Sequence, residues 1–256
     1  MADMIEDMIV TPSVEQFRRL AQSSPWRWRT VELAFVRAGH TSPVHAWIRR
    51  PGYLRVENAA GEVVELSSAA IPFDGRAAVY SNGADADRPS ALWASDTTPV
   101  FDADGLVSAL PSETDSWFVD WDDPFYENYQ WIAMLNPIEL TRSPHDHSSA
   151  ATGTAVSEVE LVEHGGRQAW EATVCTTSEY DARCECCALL SGHYDFDTGH
   201  WVPGPPVSVR LDVQTGICVY VGPTTEGPTD DCDIDVTILA VDEAMDDSMF
   251  VRGGRK

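Results

Sequence analysis

The clearest structural signal in the chain is VSVRLDVQTGICVYV, residues 207–221. Its apolar side chains occupy every second position from Val207 to Val213, and the alternation resumes from Ile217 to Val221 after the turn-forming segment Gln214-Thr215-Gly216. An alternation of period two is typical of a half-buried strand, and a short glycine-containing turn between two such runs favours a β-hairpin. The stretch therefore predicts antiparallel strands with one apolar and one polar face.

The same alternation recurs in both halves of the chain. The further predicted strands cover residues 31–36, 44–49, 53–57, 63–66, 159–163, 169–173 and 234–240. Two of the connections are short and rich in turn formers, Arg50-Pro51-Gly52 and Asn58-Ala59-Ala60-Gly61, which favours hairpins over long crossovers. We therefore expect these strands to form one antiparallel sheet.

Two segments show helical spacing instead. The first follows Ser13, carries Phe17 and Leu20 on one face and ends near Pro25. The second is predicted over residues 124–135, where an apolar stripe recurs every three to four positions. Apolar residues at that spacing predict helices that bury one face, so both helices are expected to pack on the apolar side of the sheet.

Together these elements predict an α+β fold with a single antiparallel, strongly curved sheet, an open half-barrel that wraps the helices. Strands lie on both sides of the second helix in the sequence, which favours one domain over two. We expect residues 1–256 to form this domain, with the folded part over residues 13–250 and disordered tails at 1–12 and 251–256.

Three stretches carry a resemblance to a known family: RRPGYLRVE at residues 49–57, LDVQTG at 211–216 and VDEAMDDSMF at 241–250. In the order helix, meander, helix and hairpins, the chain resembles the LolA-like superfamily of lipoprotein carriers and related lipid-binding or sensor domains. The resemblance implies a half-barrel with a concave apolar cavity that takes an acyl chain or another hydrophobic ligand. Typical members are exported and lack a Cys-x-Cys-Cys segment such as residues 184–187, which are two departures from the pattern.

The charge balance excludes some partners. The 256 residues carry 41 acidic and 17 basic side chains, a net charge of −24. Binding to nucleic acids and to anionic membranes depends on basic clusters, so neither partner is expected. No apolar run reaches the ~18 residues of a membrane-spanning helix. Residues 1–10 lack the basic start of a secretory signal, so we expect a cytoplasmic protein, or an exported one if an upstream leader has been removed.

All six cysteines lie in the last third of the chain, at Cys175, Cys184, Cys186, Cys187, Cys218 and Cys232. Zinc is bound by four ligands, commonly closely spaced cysteines and histidines. The candidate zinc ligands are Cys184, Cys186 and Cys187, completed by His193. Disulfides that pin this loop, or plain thiols, explain the same residues equally well, although the adjacent Cys186 and Cys187 can bridge each other only with strain.

Aromatic residues are concentrated between residues 117 and 131, where seven occur in fifteen positions. Aromatic side chains suit the mouth of an apolar pocket, so Trp117, Trp121, Tyr126 and Trp131 are the candidate contacts to a hydrophobic ligand. The alternative is that they form the core between helix and sheet.

No catalytic signature stands out, since the sequence has no nucleophile elbow, phosphate-binding loop or dinucleotide-binding glycine motif. We therefore predict a non-enzymatic protein that binds a hydrophobic ligand or serves as a sensor. The first alternative is a structural or protein-interaction module stapled by metal or disulfides at the cysteine loop. The second is a hydrolase of unassigned type. The pair His145 and His147 could bind a metal, but a solvated loop is the favoured interpretation.

Overall fold

The computed structural model describes residues 12–37, 42–68, 93–111, 123–144, 152–224 and 232–251. The predicted tails, apart from Pro12 and Val251, lie outside these residues, as do Trp117, Trp121, His145 and His147.

The strands of the described chain belong to one large sheet and two small hairpins. The large sheet contains β1 Thr30–Arg37, β2 Val44–Arg49, β3 Tyr53–Glu57, β4 Val63–Ser68, β7 Thr154–His164, β8 Arg167–Thr176, β11 Val207–Asp212, β12 Cys218–Pro223 and β13 Ile234–Val241. The hairpins are β5 Val100–Phe101 with β6 Val107–Ala109, and β9 Gly192–Asp195 with β10 His200–Pro203.

The large sheet has nine strands in the order β4-β3-β2-β1-β13-β12-β11-β8-β7. All neighbouring pairs are antiparallel. The two halves of the chain meet where β13 lies beside β1, with Val31 opposite Val241 and Phe35 opposite Val236. The last described strand, β13, is therefore in the middle of the sheet, and its pairing with β1 joins the N-terminal meander to the C-terminal strands.

In the described part of the chain, two α-helices pack into the core. Helix α1, Val14–Arg27, begins with a capping box in which Ser13 and Gln16 bond reciprocally, an arrangement that satisfies two backbone donors of the first turn. Helix α2, Tyr129–Leu135, is capped by the Asn128 side chain. Short 3-10 helices span Ala94–Asp96, Ile138–Leu140 and Asp247–Phe250.

The core forms on one face of the sheet, as the alternation predicts. Ala46 and Ile48 of β2 and Val236 of β13 are buried, and they belong to the same apolar cluster as Phe17 of α1 and Ile132 of α2. Burial of this kind stabilises the fold by about 25 cal/mol for each Å² of apolar surface removed from water. The apolar strand face and the helices are thus parts of a single core.

The α+β class and the antiparallel sheet are confirmed, but the strongly curved half-barrel is not. In the described part of the chain the sheet is open, with β4 and β7 as its edges, and it shows no strong curl or closure. The alternation of apolar and polar residues predicts which face of a strand is buried. The curvature of a sheet depends on its twist and on β-bulges, which this pattern does not predict. The two short hairpins were also not predicted.

The second helix begins later than predicted, at Tyr129 instead of residue 124. Glu127 has a φ of 56°, which is left-handed backbone that a right-handed helix cannot include. Asn128 is extended and its side chain accepts a hydrogen bond from the Gln130 amide at 2.9 Å. Asn128 therefore starts the helix as its cap, a role that asparagine prefers to the helix interior.

A buried ion pair connects the sheet to both helices. The Arg50 guanidinium donates to both carboxylate oxygens of Asp123, at 2.9 and 2.7 Å, and both side chains are fully inaccessible. Arg50 also donates to the Ser24 carbonyl of α1 at 2.7 Å and lies 3.3 Å from the centre of the Trp28 ring. A bidentate pair with further hydrogen bonds is the arrangement that a buried guanidinium requires.

Candidate metal centre in the cysteine loop

The cysteine-rich segment is a loop, residues 177–191, that connects β8 to β9. It leaves β8 through a turn in which the Tyr180 amide donates to the Thr177 carbonyl at 3.1 Å. It reaches β9 with the Ser191 carbonyl accepting from the Thr176 hydroxyl at 3.1 Å. Both ends of the loop are therefore attached to the end of β8.

Three thiols of this loop lie close together. The sulfur atoms of Cys184, Cys186 and Cys187 are all within 4.8 Å of one another. The Cys184 and Cys186 sulfurs are 3.2 Å apart and form a hydrogen bond. Cys186 is exposed, and the other two are half-buried. The Cys187 amide donates to the Cys184 carbonyl at 3.3 Å, a turn that folds the segment back and brings the thiols to one side.

The three thiols differ in acidity. Burial acts to raise the pKa of Cys184, but hydrogen bonds from Cys187 and Cys186 outweigh it, so that its pKa lies below the ordinary thiol value. The hydrogen bond to Cys184 raises the pKa of Cys186. Burial, together with the bond to Cys184, raises the pKa of Cys187 to about 12. Cys184 is therefore the most acidic of the three thiols.

A buried carboxylate holds the loop in shape. Glu139, in the 3-10 helix after α2, accepts hydrogen bonds from the Tyr180 hydroxyl, from the Arg183 amide at 2.9 Å and from the Leu189 amide at 3.4 Å. These donors lie on both sides of the cysteines in the sequence. One carboxylate thus fixes the two arms of the loop, and the cysteines occupy the turn between them.

The environment of Glu139 perturbs its ionisation. Burial raises the pKa of the Glu139 carboxyl, while the charge of Arg183 and the hydrogen bond from Tyr180 oppose the increase. Burial and the neighbouring carboxylate raise the pKa of Tyr180 well above its usual value, so Tyr180 stays a hydroxyl donor. The Tyr180 ring also packs edge-on against Trp201 of β10, with ring centres 4.8 Å apart.

The cysteine loop forms one wall of a cleft of about 530 Å³. The lining side chains that could bind a ligand or a metal ion include Gln130, Cys186, Cys187, His193 and Trp201. Gln130 of α2 also donates to the Ala188 carbonyl of the loop at 3.3 Å. His193 is an exposed residue of β9 that lines the same cleft but does not belong to the group of ligand atoms within 4.8 Å of one another.

The remaining cysteines lie elsewhere. Cys175 is half-buried on β8, Cys218 is buried at the start of β12 and Cys232 is buried before β13. Burial raises the pKa of the Cys218 thiol to about 12, which makes it a poor nucleophile and ligand. No disulfide joins any of the six cysteines, all of which lie in the described residues.

The structure places the two described aromatic candidates around the core. Trp131 is buried, with edge-on contacts to Phe35 and Tyr126 at 5.6 and 5.3 Å between ring centres. Tyr126 is half-buried, and burial raises its pKa to about 12. Their packing matches the core alternative stated above, and a role in ligand contact stays a prediction.

Sequence reasoning missed Glu139 and Asp123. A single acidic residue among 41 carries no signal of its own. A local signal was nevertheless present in the sequence, since Glu139 stands between the apolar residues Ile138 and Leu140. In the structure all three residues are buried. A charge inside an apolar run is the pattern that predicts a buried, hydrogen-bonded carboxylate.

Comparisons with known proteins add no assignment. No protein-family model matches the chain, and no curated protein matches it significantly. No helix in the described part of the chain combines the length and the apolar character that spanning a bilayer requires.

Proposed function

We propose that the chain is a non-enzymatic metal-binding protein that takes one thiophilic ion, zinc in the first place, on Cys184, Cys186 and Cys187. The observation that carries the proposal is the convergence of three sulfurs within 4.8 Å. Thiolate sulfur is the donor that zinc and other soft metal ions prefer. A four-residue segment that brings three such donors together supplies most of a zinc coordination shell.

The spacing of the sulfurs is close to what the ion needs. A Zn–S distance of about 2.3 Å at the tetrahedral angle places two sulfurs about 3.8 Å apart. Cys184 and Cys186 are 3.2 Å apart in the hydrogen-bonded state, so that pair has to open by about half an ångström. The exposed position of Cys186 allows such a movement without rearrangement of the core.

The fourth ligand comes from the cleft in this proposal. Water can complete a site that has three protein ligands, and His193 offers an imidazole on the same cleft. Glu139 acts at a distance by fixing the two arms of the loop, as outer hydrogen-bonding groups do in metal sites. The negative charge of the chain, −24, favours a cation at the surface over an anion.

The test is a zinc titration in competition with a chromophoric chelator. We expect one ion bound per chain by the wild type, and at least 100-fold weaker binding by Cys184→Ser and by Cys187→Ser, because each removes a thiolate ligand. Cys175→Ser is the matched control, since Cys175 is a half-buried thiol on β8 that lies outside the cluster.

Equal zinc affinity in the wild type and in the triple variant Cys184→Ser, Cys186→Ser and Cys187→Ser would overturn the proposal. Circular dichroism of each variant shows that it is folded. The variant His193→Ala decides the fourth ligand: a loss of affinity of about tenfold or more assigns it to the imidazole, and unchanged affinity assigns it to water.

The hydrophobic ligand implied by the LolA-like resemblance remains a second proposal. One observation favours it: the Trp131 indole N–H is buried without an acceptor among the described residues. A ligand with a polar head and an apolar chain would supply an acceptor. Native mass spectrometry of the purified chain, before and after delipidation, tests this, and a consistently unliganded chain in the presence of added fatty acid contradicts it.

A further inference from the structure

We propose that Cys184 and Cys186 form a reversible disulfide by exchange with a small-molecule disulfide. The inference does not depend on metal binding, since it concerns the metal-free loop. It assigns a covalent modification to a pair of thiols that the fold holds in contact.

The distance between the sulfurs carries the proposal. Cys184 and Cys186 lie 3.2 Å apart, and a disulfide bond is about 2.05 Å long. The two sulfurs therefore have to approach by little more than 1 Å. The segment between them is a surface turn, and its arms stay fixed to Glu139, so closure of the bond does not require the rest of the fold to move.

Exposure and chain geometry favour this pair over the adjacent one. Cys186 is exposed, so a small-molecule disulfide can reach it from the solvent side, and it can reach a group attached to Cys184. A bond between the adjacent Cys186 and Cys187 would be strained.

The reaction balances with one external disulfide, written RSSR. One of the two thiols loses its proton to solvent and attacks one sulfur of RSSR, which forms a mixed disulfide and releases one thiolate RS⁻. The other thiol loses its proton to solvent and attacks the chain sulfur of that mixed disulfide, so that the Cys184–Cys186 bond forms and a second RS⁻ leaves. Two thiols of the chain are oxidised and RSSR is reduced to two thiols, which is the usual course of thiol–disulfide exchange.

The disulfide would change the number of thiols that the loop can offer to a metal ion. The disulfide removes two of the three clustered thiols, and Cys187 is left as the remaining one. A protein that also binds metal there would release it on oxidation, since a metal needs thiolates. The modification itself is expected in the full chain after metal has been removed with a chelator.

The experiment is incubation of the chelator-treated full chain with oxidised glutathione, followed by peptide mapping with mass spectrometry. We expect a Cys184–Cys186 disulfide that dithiothreitol reverses. In Cys186→Ser the reaction should stop with one glutathione attached to Cys184. In Cys184→Ser it should stop with one glutathione attached to Cys186. Cys175→Ala should behave as the wild type.

Other outcomes overturn the inference. A Cys186–Cys187 bond, or stable glutathionylation without any internal disulfide in the wild type, would show that the pair does not resolve. Because no metal is present, failure here leaves the zinc titration unaffected, and failure of the titration leaves this result unaffected.

Discussion

Two of the buried carboxylates in the described part of the chain, Asp123 and Glu139, are satisfied in different ways. Both oxygens of Asp123 accept hydrogen bonds from the Arg50 guanidinium in a pair that no solvent reaches. Glu139 instead accepts from the Tyr180 hydroxyl and from two backbone amides of the cysteine loop. Asp123 thus forms an ion pair, whereas Glu139 is held by hydrogen bonds from the cysteine loop, whose shape it fixes.

The two carboxylates are therefore expected to have different roles: Asp123 stabilises the whole fold, and Glu139 stabilises the cysteine loop. Arg50 and Asp123 connect the β2–β3 turn to α1, through Ser24 and Trp28, so their loss should affect the whole fold. The donors to Glu139 belong to residues 180–189, which carry the thiols. Its loss should affect the shape of that loop first, and variants at the two carboxylates should therefore give different readouts.

The largest expected effect is on global stability. Arg50→Ala removes the partner of Asp123 and leaves a buried charge without compensation, which typically costs about 3–5 kcal/mol. Urea denaturation followed by tryptophan fluorescence measures the free energy of unfolding. Arg19→Ala, which breaks pairs to Glu15 and Asp102 on the surface, is the control and should cost much less. Equal losses in the two variants would mean that the buried pair is not a structural anchor.

The second-largest expected effect is on zinc affinity, which should depend on Glu139. Glu139→Ala releases the arms of the cysteine loop and should weaken zinc binding by about 10- to 100-fold, the usual result of removing a group that orients metal ligands. The chelator competition assay measures it, with Glu163→Ala on the exposed face of β7 as control. Unchanged affinity in a folded Glu139→Ala variant would contradict the role assigned to Glu139 and leave the cysteines as ligands without this support.

The third effect is a pH dependence. Because burial raises the pKa of Glu139 above its ordinary value of 4.5, the folded state holds that proton more tightly than the unfolded chain does. The associated stability is complete below about pH 4.5 and is lost as pH rises through the folded-state pKa. The change is at most about 1.4 kcal/mol per pH unit.

Glu139→Gln isolates this contribution, because glutamine fills the same space and does not titrate. The difference in free energy of unfolding between wild type and Glu139→Gln should shift against the wild type as pH rises from 4.5. A difference that stays constant with pH would contradict the raised pKa. General charge repulsion among the other acidic residues is nearly the same in both chains and largely cancels.

The smallest effect concerns one hydrogen bond. Tyr180→Phe removes the hydroxyl donor to Glu139 but keeps the ring that packs on Trp201. Loss of a single buried hydrogen bond costs about 1 kcal/mol, since the two backbone donors remain. Urea denaturation measures it, and a loss as large as that of Arg50→Ala would show that the two carboxylates do not differ as described.

The sequence predicted much of the fold because burial of alternate side chains is a local property. The alternation in residues 207–221 locates β11, the following turn and β12, and Ser13 marks the start of α1. It could not predict that the sheet lacks a strong curl, which depends on how nine strands twist together. The left-handed Glu127 that delays α2 also has no signature in apolar spacing.

The candidate site was predicted in part for a similar reason. Cys184, Cys186 and Cys187 are close in the structure because they are close in the chain. His193 shares only a cleft with Cys186 and Cys187, and its position depends on the β9–β10 hairpin. Glu139 comes from a different part of the chain, more than 40 residues before the cysteines, and only the tertiary structure brings it to the loop.

The most direct test of the central claim is X-ray absorption fine structure at the zinc edge of the zinc-loaded full chain. Our account predicts three sulfur neighbours at about 2.3 Å from the ion and one nitrogen or oxygen neighbour. A shell made only of nitrogen and oxygen atoms at about 2.0–2.2 Å would place the ion elsewhere and contradict the assignment of the three cysteines.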